Sequence, residues 1–113
     1  MYRGLKYDKG KLMWRLLPFK EVEQFVEVLT YGAEKYEVDN WKKVSEERYV
    51  DALFRHLNAW MQGEQIDKES GIHHLAHAGT NILFLMWFEN QRKMSEENKN
   101  LQEMRLEEKW PSQ

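Results

Sequence analysis

Cysteine is absent from all 113 residues. That removes disulfides, thiolate zinc sites and a cysteine nucleophile from consideration. An excess of either charge is missing too. Seventeen Lys+Arg stand against nineteen Asp+Glu, a formal charge of −2, which withdraws the main electrostatic argument for binding duplex nucleic acid. Long apolar runs are also lacking. The longest, Ile82 to Phe88, is far too short to cross a bilayer. The opening Met1-Tyr-Arg-Gly-Leu-Lys6 has no apolar stretch of the signal-peptide kind. The expectations are no membrane partner, no duplex nucleic acid and a cytoplasmic location.

What is present is enough for one core. The chain is 42% hydrophobic and 32% charged, so it should fold, as one domain. Five Trp, five Tyr and five Phe are many for this length; they can fill the core or stack on bases.

The near-zero net charge conceals a polarity along the chain. Arg3, Lys6, Lys9, Lys11, Arg15 and Lys20 face Asp8 alone in residues 1–20. Glu21, Glu23, Glu27, Glu34, Glu37 and Asp39 face Lys35 alone in residues 21–40. A basic arm beside an acidic helix suits an anion held with a metal ion; two solvated surfaces of opposite sign is the plainer reading.

Asp8-Lys9-Gly10 signals a turn within a short hairpin or extended arm over Tyr7 to Leu16. Pro18 suits the first turn of a helix. Val22, Phe25, Val26, Leu29, Ala33 and Tyr36 then recur at helical spacing, predicting an amphipathic helix over 19–37. A second helix starts with Ser45 as N-cap and Glu46 and Glu47 in its first turn, buries Tyr49, Leu53, Leu57 and Trp60, and ends at Gly63. After the acidic loop 63–70, Ser70 is the expected cap of a third helix running to about residue 93. Its stretch from Ala76 to Phe88 is apolar almost all round, the mark of a central helix. A charged helix with a thin stripe at Met94, Leu101 and Met104 follows. The predicted class is all-α: a compact helical bundle, residues 1–90, with a short extended basic N-terminal arm, and a charged C-terminal helix or tail over 91–113.

Four groups of residues carry candidate chemistry. Glu23, Glu27, Thr30, Glu34 and Glu37 share one stripe of the first helix, and Glu34 and Glu37 form an E-x-x-E pair able to reach one hard cation. Such a stripe is also the ordinary wet face of a helix. Ser70, His74, His77 and Asn81 share one face of the third helix, and four polar groups on a central helix suggest a lined cavity. His74 and His77, or His73 and His77, have metal-ligand spacing. His56 sits in the apolar stripe of the second helix beside Arg55; a helical hairpin would bring it to His74 or His77, with Glu64, Asp67 and Glu69 close by. Lastly, Tyr7-Asp8-Lys9-Gly10-Lys11 can meet phosphates, though it is no Walker loop.

These pieces occur in a recognisable order. Lys6-Tyr-Asp-Lys-Gly-Lys11, Leu16-Leu-Pro18, Val28-Leu-Thr-Tyr-Gly-Ala-Glu-Lys-Tyr36, Asn40-Trp41 and Arg55-His56-Leu57 come first. Gly63-Glu-Gln-Ile-Asp-Lys-Glu-Ser-Gly71, His74-Leu-Ala-His77 and Asn81-Ile-Leu-Phe-Leu85 follow. Over about residues 5–88 the chain resembles the small phage dATP/dGTP diphosphohydrolase family. The resemblance implies metal-dependent conversion of dATP or dGTP to monophosphate and pyrophosphate, and host cytoplasm as the compartment. More loosely, the chain is similar to MazG-like all-α nucleotide pyrophosphohydrolases. Those pair an E-x-x-E with an E-x-x-D around Mg²⁺. Glu34 and Glu37 match the first; His74 and His77 stand where the second is expected.

On the residues and the resemblance together, His56, Glu64, Asp67, His74 and His77 are expected around a divalent Mg²⁺, Mn²⁺ or Co²⁺. Glu34 and Asp67 are the candidate catalytic carboxylates. Lys11, Lys35 and Arg55 are expected on phosphates, Tyr36 and Trp41 on the base, and Asn81 among the substrate contacts. Two alternatives remain: a protein that sequesters a nucleotide or a nucleotide-derived immune signal without cleaving it, and a helical interaction protein. A homo-oligomer is expected, because one all-apolar helix has little in this chain to cover it, with contacts through the third helix or the Met94–Met104 stripe.

Overall fold

A computed structural model of the chain describes residues 4–109. Arg3, the start of the arm, and the last four residues of the expected tail lie outside the described residues. The fold is all-α. Among the described residues it consists of three helices: α1, Phe19–Lys35; α2, Glu46–Met61; and α3, His74–Lys109. Short 3-10 turns at Trp14–Leu16 and Asn40–Lys43 precede α1 and α2. Among the described residues no helix is long and apolar enough to cross a membrane.

The helix ends follow local chemistry. Pro18 accepts from the amides of Glu21 and Val22 at 3.1 and 3.0 Å, starting α1. Ser45 occupies the N-cap of α2, but its hydroxyl makes no capping bond; the first-turn Glu46 and Glu47 supply the favourable charge there. Gly63, at φ 100°, closes α2. The Gly63 amide bonds the Trp60 carbonyl at 3.0 Å and the Glu64 amide bonds the Ala59 carbonyl at 3.0 Å. That is the two-bond ending that favours glycine in the left-handed region.

Two expectations about the third helix need correction. Ser70 does not cap it. The helix opens at His74, and the His73 ring caps it by accepting the Leu75 amide at Nδ1, 3.0 Å away. Nor does it stop near residue 93. With neither Gly nor Pro between residues 80 and 109, nothing interrupts a helix of 36 residues, about 54 Å long. The expected arm is an open segment rather than a hairpin. Its one turn is closed by the Lys11 amide on the Asp8 carbonyl at 2.9 Å, with Gly10 at φ 84°.

The first half of α3 is the centre of the bundle. Ala76, Ala78 and Phe84 are its buried apolar residues, and α2 packs on it more extensively than α1 does. The α1 crossing runs over Gly79, where a Cβ would come within 2.5 Å of the Phe25 ring. Near the far end of α2, Trp41 stacks on Phe84 with centroids 4.3 Å apart and meets Trp87 edge-on at 4.9 Å. Tyr49 donates its hydroxyl to the Trp41 carbonyl at 2.8 Å and fixes the connector there.

A histidine and aspartate cluster in the candidate site

Between α2 and α3 the chain makes a short folded loop. A single antiparallel bridge joins Ile66 to His73. The Asp67 amide bonds the Ile72 carbonyl at 2.9 Å, and the His74 amide bonds the Gln65 carbonyl at 2.8 Å. Gly71, at φ 73°, allows the return. The loop tip therefore carries Asp67 and Ser70 to the first turn of α3.

There the side chains converge. Asp67 Oδ2 accepts both the Ser70 amide, 2.9 Å, and the Ser70 hydroxyl, 2.8 Å. The same hydroxyl oxygen lies 2.6 Å from His77 Nε2. A hydroxyl has one proton and a carboxylate has none to give, so both contacts are satisfied only when His77 donates Nε2–H to Ser70. That tautomer leaves a lone pair on His77 Nδ1. Across the hairpin, His56 Nδ1 faces His74 Nδ1 at 2.8 Å, one donating and the other accepting. The His56 and His77 rings stack with centroids 4.4 Å apart and planes 8° from parallel. One ligand atom each of His56, Asp67 and His74 lies within 4.8 Å of the others.

Burial sets the charge states. It pushes the His56 imidazole down to about 4, with the neighbouring His77 adding to the effect. Burial lowers His77 as well. For Asp67 burial works the other way, but the two Ser70 bonds outweigh it and hold the carboxyl below its ordinary value. Neutral imidazoles beside an ionised carboxylate are the protonation states that metal binding needs. His74 adds an orphan: its buried Nε2 has no hydrogen-bond partner, although the Glu64 carboxylate is 3.5 Å away. At that separation the two make no hydrogen bond.

Part of the cluster faces a cleft of about 810 Å³ between α1 and the α2–α3 hairpin, while His74 lies buried behind that wall. His56, Asp67, His77 and Asn81 line it, as do Arg48 and Arg55. Asn81 is buried and gives its amide to the His77 carbonyl at 2.9 Å. At the α1 side, Glu69 accepts from Tyr31 at 3.2 Å and is ion-paired with Lys35. That pairing raises the Lys35 ammonium well above its ordinary value and depresses the Glu69 carboxyl.

Some expected site residues are placed elsewhere. Glu34 is exposed and does not line the cleft. Glu37, at the rim, is tied to Lys43 at 2.8 Å, so the E-x-x-E pair does not converge with the histidines. Lys11 is exposed on the open arm, outside the cleft. Lys35 lines the cleft but is engaged by Glu69, and Trp41 has one ring face covered by Phe84. Tyr36 is exposed at the rim, with the Lys35 ammonium 5.4 Å from its ring centroid. Glu64 stands behind His74, and His77 is held by Ser70. Arg48, Tyr31 and the bonding role of Ser70 were not foreseen. The Asp67-x-x-Ser70 spacing, suited to a side chain bonding back three residues, was the available signal for Ser70.

Residues 2–98 match the family described as dATP/dGTP diphosphohydrolase, N-terminal. The chain belongs to that family. A dATP/dGTP diphosphohydrolase of Salmonella phage PMBT28 is 34% identical over 96 residues, which cover 85% of this chain. The chain spans about a third of that relative, 33% of its length. No solved structure matches. Every residue of the cluster lies inside the segment shared with the dATP/dGTP diphosphohydrolase family, and the family match runs ten residues beyond the end expected from the motifs, position 98 against 88.

Proposed function

We propose that the cleft hydrolyses a purine deoxynucleoside triphosphate, dATP or dGTP, to the monophosphate and pyrophosphate, using a divalent ion held by His56, Asp67 and His74. The observation that carries this reading is the convergence of those three ligand atoms within 4.8 Å, with His56 and Asp67 on the wall of a nucleotide-sized cleft and His74 buried directly behind them. The activity named for the Salmonella phage relative agrees with it.

The donor set of two imidazoles and one carboxylate fits Mn²⁺ or Co²⁺ better than Mg²⁺, which prefers oxygen ligands and several waters. Such an ion supplies charge neutralisation at the triphosphate and a lowered pKa for a bound water. The protein's own residues do the rest. Ser70 occupies Asp67 Oδ2 with two bonds, leaving Oδ1 outside these bonds and turned to other service. Glu64 stands on the far side of His74 and favours the tautomer with its proton on Nε2 and its lone pair on Nδ1. Arg48 and Arg55, both on the cleft wall, offer charge to the phosphates. Lys35 joins them when it leaves Glu69. Tyr36 takes the base-stacking role, because Trp41 is already covered on one face, and Asn81 turns its remaining amide oxygen to the substrate. Glu34 and Lys11 have no part in this arrangement.

Purified protein with Mg²⁺, Mn²⁺ or Co²⁺ is expected to convert dGTP or dATP to monophosphate plus pyrophosphate, and chelator to stop it. Ion-exchange chromatography of the products measures this. Tight nucleotide binding without turnover under all three ions would overturn the hydrolytic reading.

A further inference from the structure

The cleft wall changes character along its length. At one end α2 and α3 meet through His56, which faces His74 and stacks on His77. At the other they meet through Tyr49, whose ring packs on Phe84 and Phe88 with centroids 4.9 and 6.1 Å apart. Tyr49 precedes His56 by two turns of α2, about 10 Å along its axis. The first end is polar, with Asp67 beside the histidines. The second is apolar, where Trp41 and Val44 join Tyr49 and Phe84 on the wall.

Ala52 and Asn81 occupy the middle. Ala52 falls between Tyr49 and His56 on α2, and Asn81 between His77 and Phe84 on α3. Both line the cleft. Ala52 stops at its methyl and adds no bulk there. Asn81 is only 6% exposed, so an idle polar atom on it is costly. Its side-chain nitrogen is committed to the His77 carbonyl at 2.9 Å. A carbonyl can only accept, so that contact fixes which end of the amide is which. Oδ1 is the end left over. It is not sealed in, because among the described residues His74 Nε2 is the buried side-chain atom without a partner. Oδ1 therefore opens on the cleft. Thr80 beside it gives its hydroxyl proton to the Ala76 carbonyl at 2.7 Å and has none for Oδ1.

An acceptor at this place selects the group that lies against it. Ionised phosphates have no proton to offer, and neither does the ring oxygen of a sugar. The 3′-hydroxyl of deoxyribose does. The sugar is also the part of a nucleotide that joins phosphates to base. With the phosphates at the histidine end and the purine at the aromatic end, the sugar falls at Ala52 and Asn81.

We propose that Asn81 makes a free sugar 3′-hydroxyl a requirement of this cleft, its Oδ1 accepting the hydroxyl proton. The proposal rests on the reading of the cleft as a nucleoside triphosphate site. A nucleotide that lacks the hydroxyl, or is esterified through it, leaves a buried acceptor unpaired and is rejected for that reason. The test compares dGTP with its 2′,3′-dideoxy counterpart, on the wild type and on Asn81→Ala. Turnover is measured with Mn²⁺, and affinity by calorimetry with the α,β-methylene forms, which resist cleavage between those phosphates. The wild type should favour the 3′-hydroxyl form by about tenfold or more in both kcat/KM and affinity. Asn81→Ala should favour neither. A merely structural Asn81 would weaken both nucleotides alike and keep their ratio. The wild-type ratio needs no variant to fold, and equal use of both nucleotides overturns the proposal by itself. So does a preference that survives Asn81→Ala. Binding without cleavage would sink the hydrolytic reading alone, and the affinity ratio would still decide this one.

Discussion

His74 and His77 are one helical turn apart on α3, yet their surroundings give them different work. His77 has its Nε2 engaged by Ser70, so His77→Ala removes one hydrogen bond from a half-buried hydroxyl that keeps Asp67 and the Ile72 amide as partners. The expected cost is about 0.5–1.5 kcal/mol, present even in chelator. His74 has an unpartnered Nε2 and an Nδ1 facing His56. Mn²⁺ or Co²⁺ at about a hundred times its dissociation constant should stabilise the wild type by about 2.7 kcal/mol. His74→Ala should abolish that gain. Urea denaturation of the wild type and both variants, with metal and with chelator, measures the two effects. A metal response that survives His74→Ala would remove His74 from the ligand set. Acid should act on the same cluster. Unfolded His56 takes a proton near pH 6.5, whereas in the fold it does so only near pH 4. Between those values the unfolded state holds more protons. The stability linked to His56 is therefore complete above about pH 6.5 and drains away as the pH falls toward 4. His77, shifted in the same direction, adds to the loss. Melting temperatures in chelator across that window should drop, and a flat profile would contradict the assignment. The cluster was largely legible in the sequence because a polar stripe on an apolar helix has few explanations. The division of labour within it was not. It depends on which ring nitrogen meets Ser70, and only the folded loop fixes that.

The elements show the same limit at larger size. Periodicity located α1 and α2 within a residue or two, because apolar residues at helical spacing and a glycine in the left-handed region are strong local signals. The start of α3 was misplaced for a chemical reason. A serine at the end of an acidic loop is a good helix cap in isolation, but here Ser70 lies four residues before α3 and its hydroxyl is held by Asp67 and His77. His73 then takes the capping position. The continuity of α3 past residue 93 was also missed. A change from apolar to charged composition looks like a boundary, but a backbone without Gly or Pro has no reason to break there. The E-x-x-E pair was a true pattern on α1 with no partner to meet: Glu34 points to solvent and Glu37 to Lys43. Spacing along one helix says what shares a face. It does not say which face looks at the cleft.

For the whole molecule, the decisive feature is that α2, the loop and the first turn of α3 are contiguous in sequence and supply every residue of the histidine and aspartate cluster. The remaining wall of the cleft is α1, which packs on α3 less extensively than α2 does and reaches the site loop through the Tyr31–Glu69 and Lys35–Glu69 contacts. Its stability against local opening should be correspondingly low. Native-state hydrogen exchange should show the α1 amides exchanging through a partial unfolding that α2 and the first half of α3 do not share. Equal protection across all three helices would refute this. The consequence concerns traffic. With α1 the weaker wall, a molecule in the cleft would enter or leave while the histidines and Asp67 keep their mutual geometry, at a rate set by how often that helix lets go.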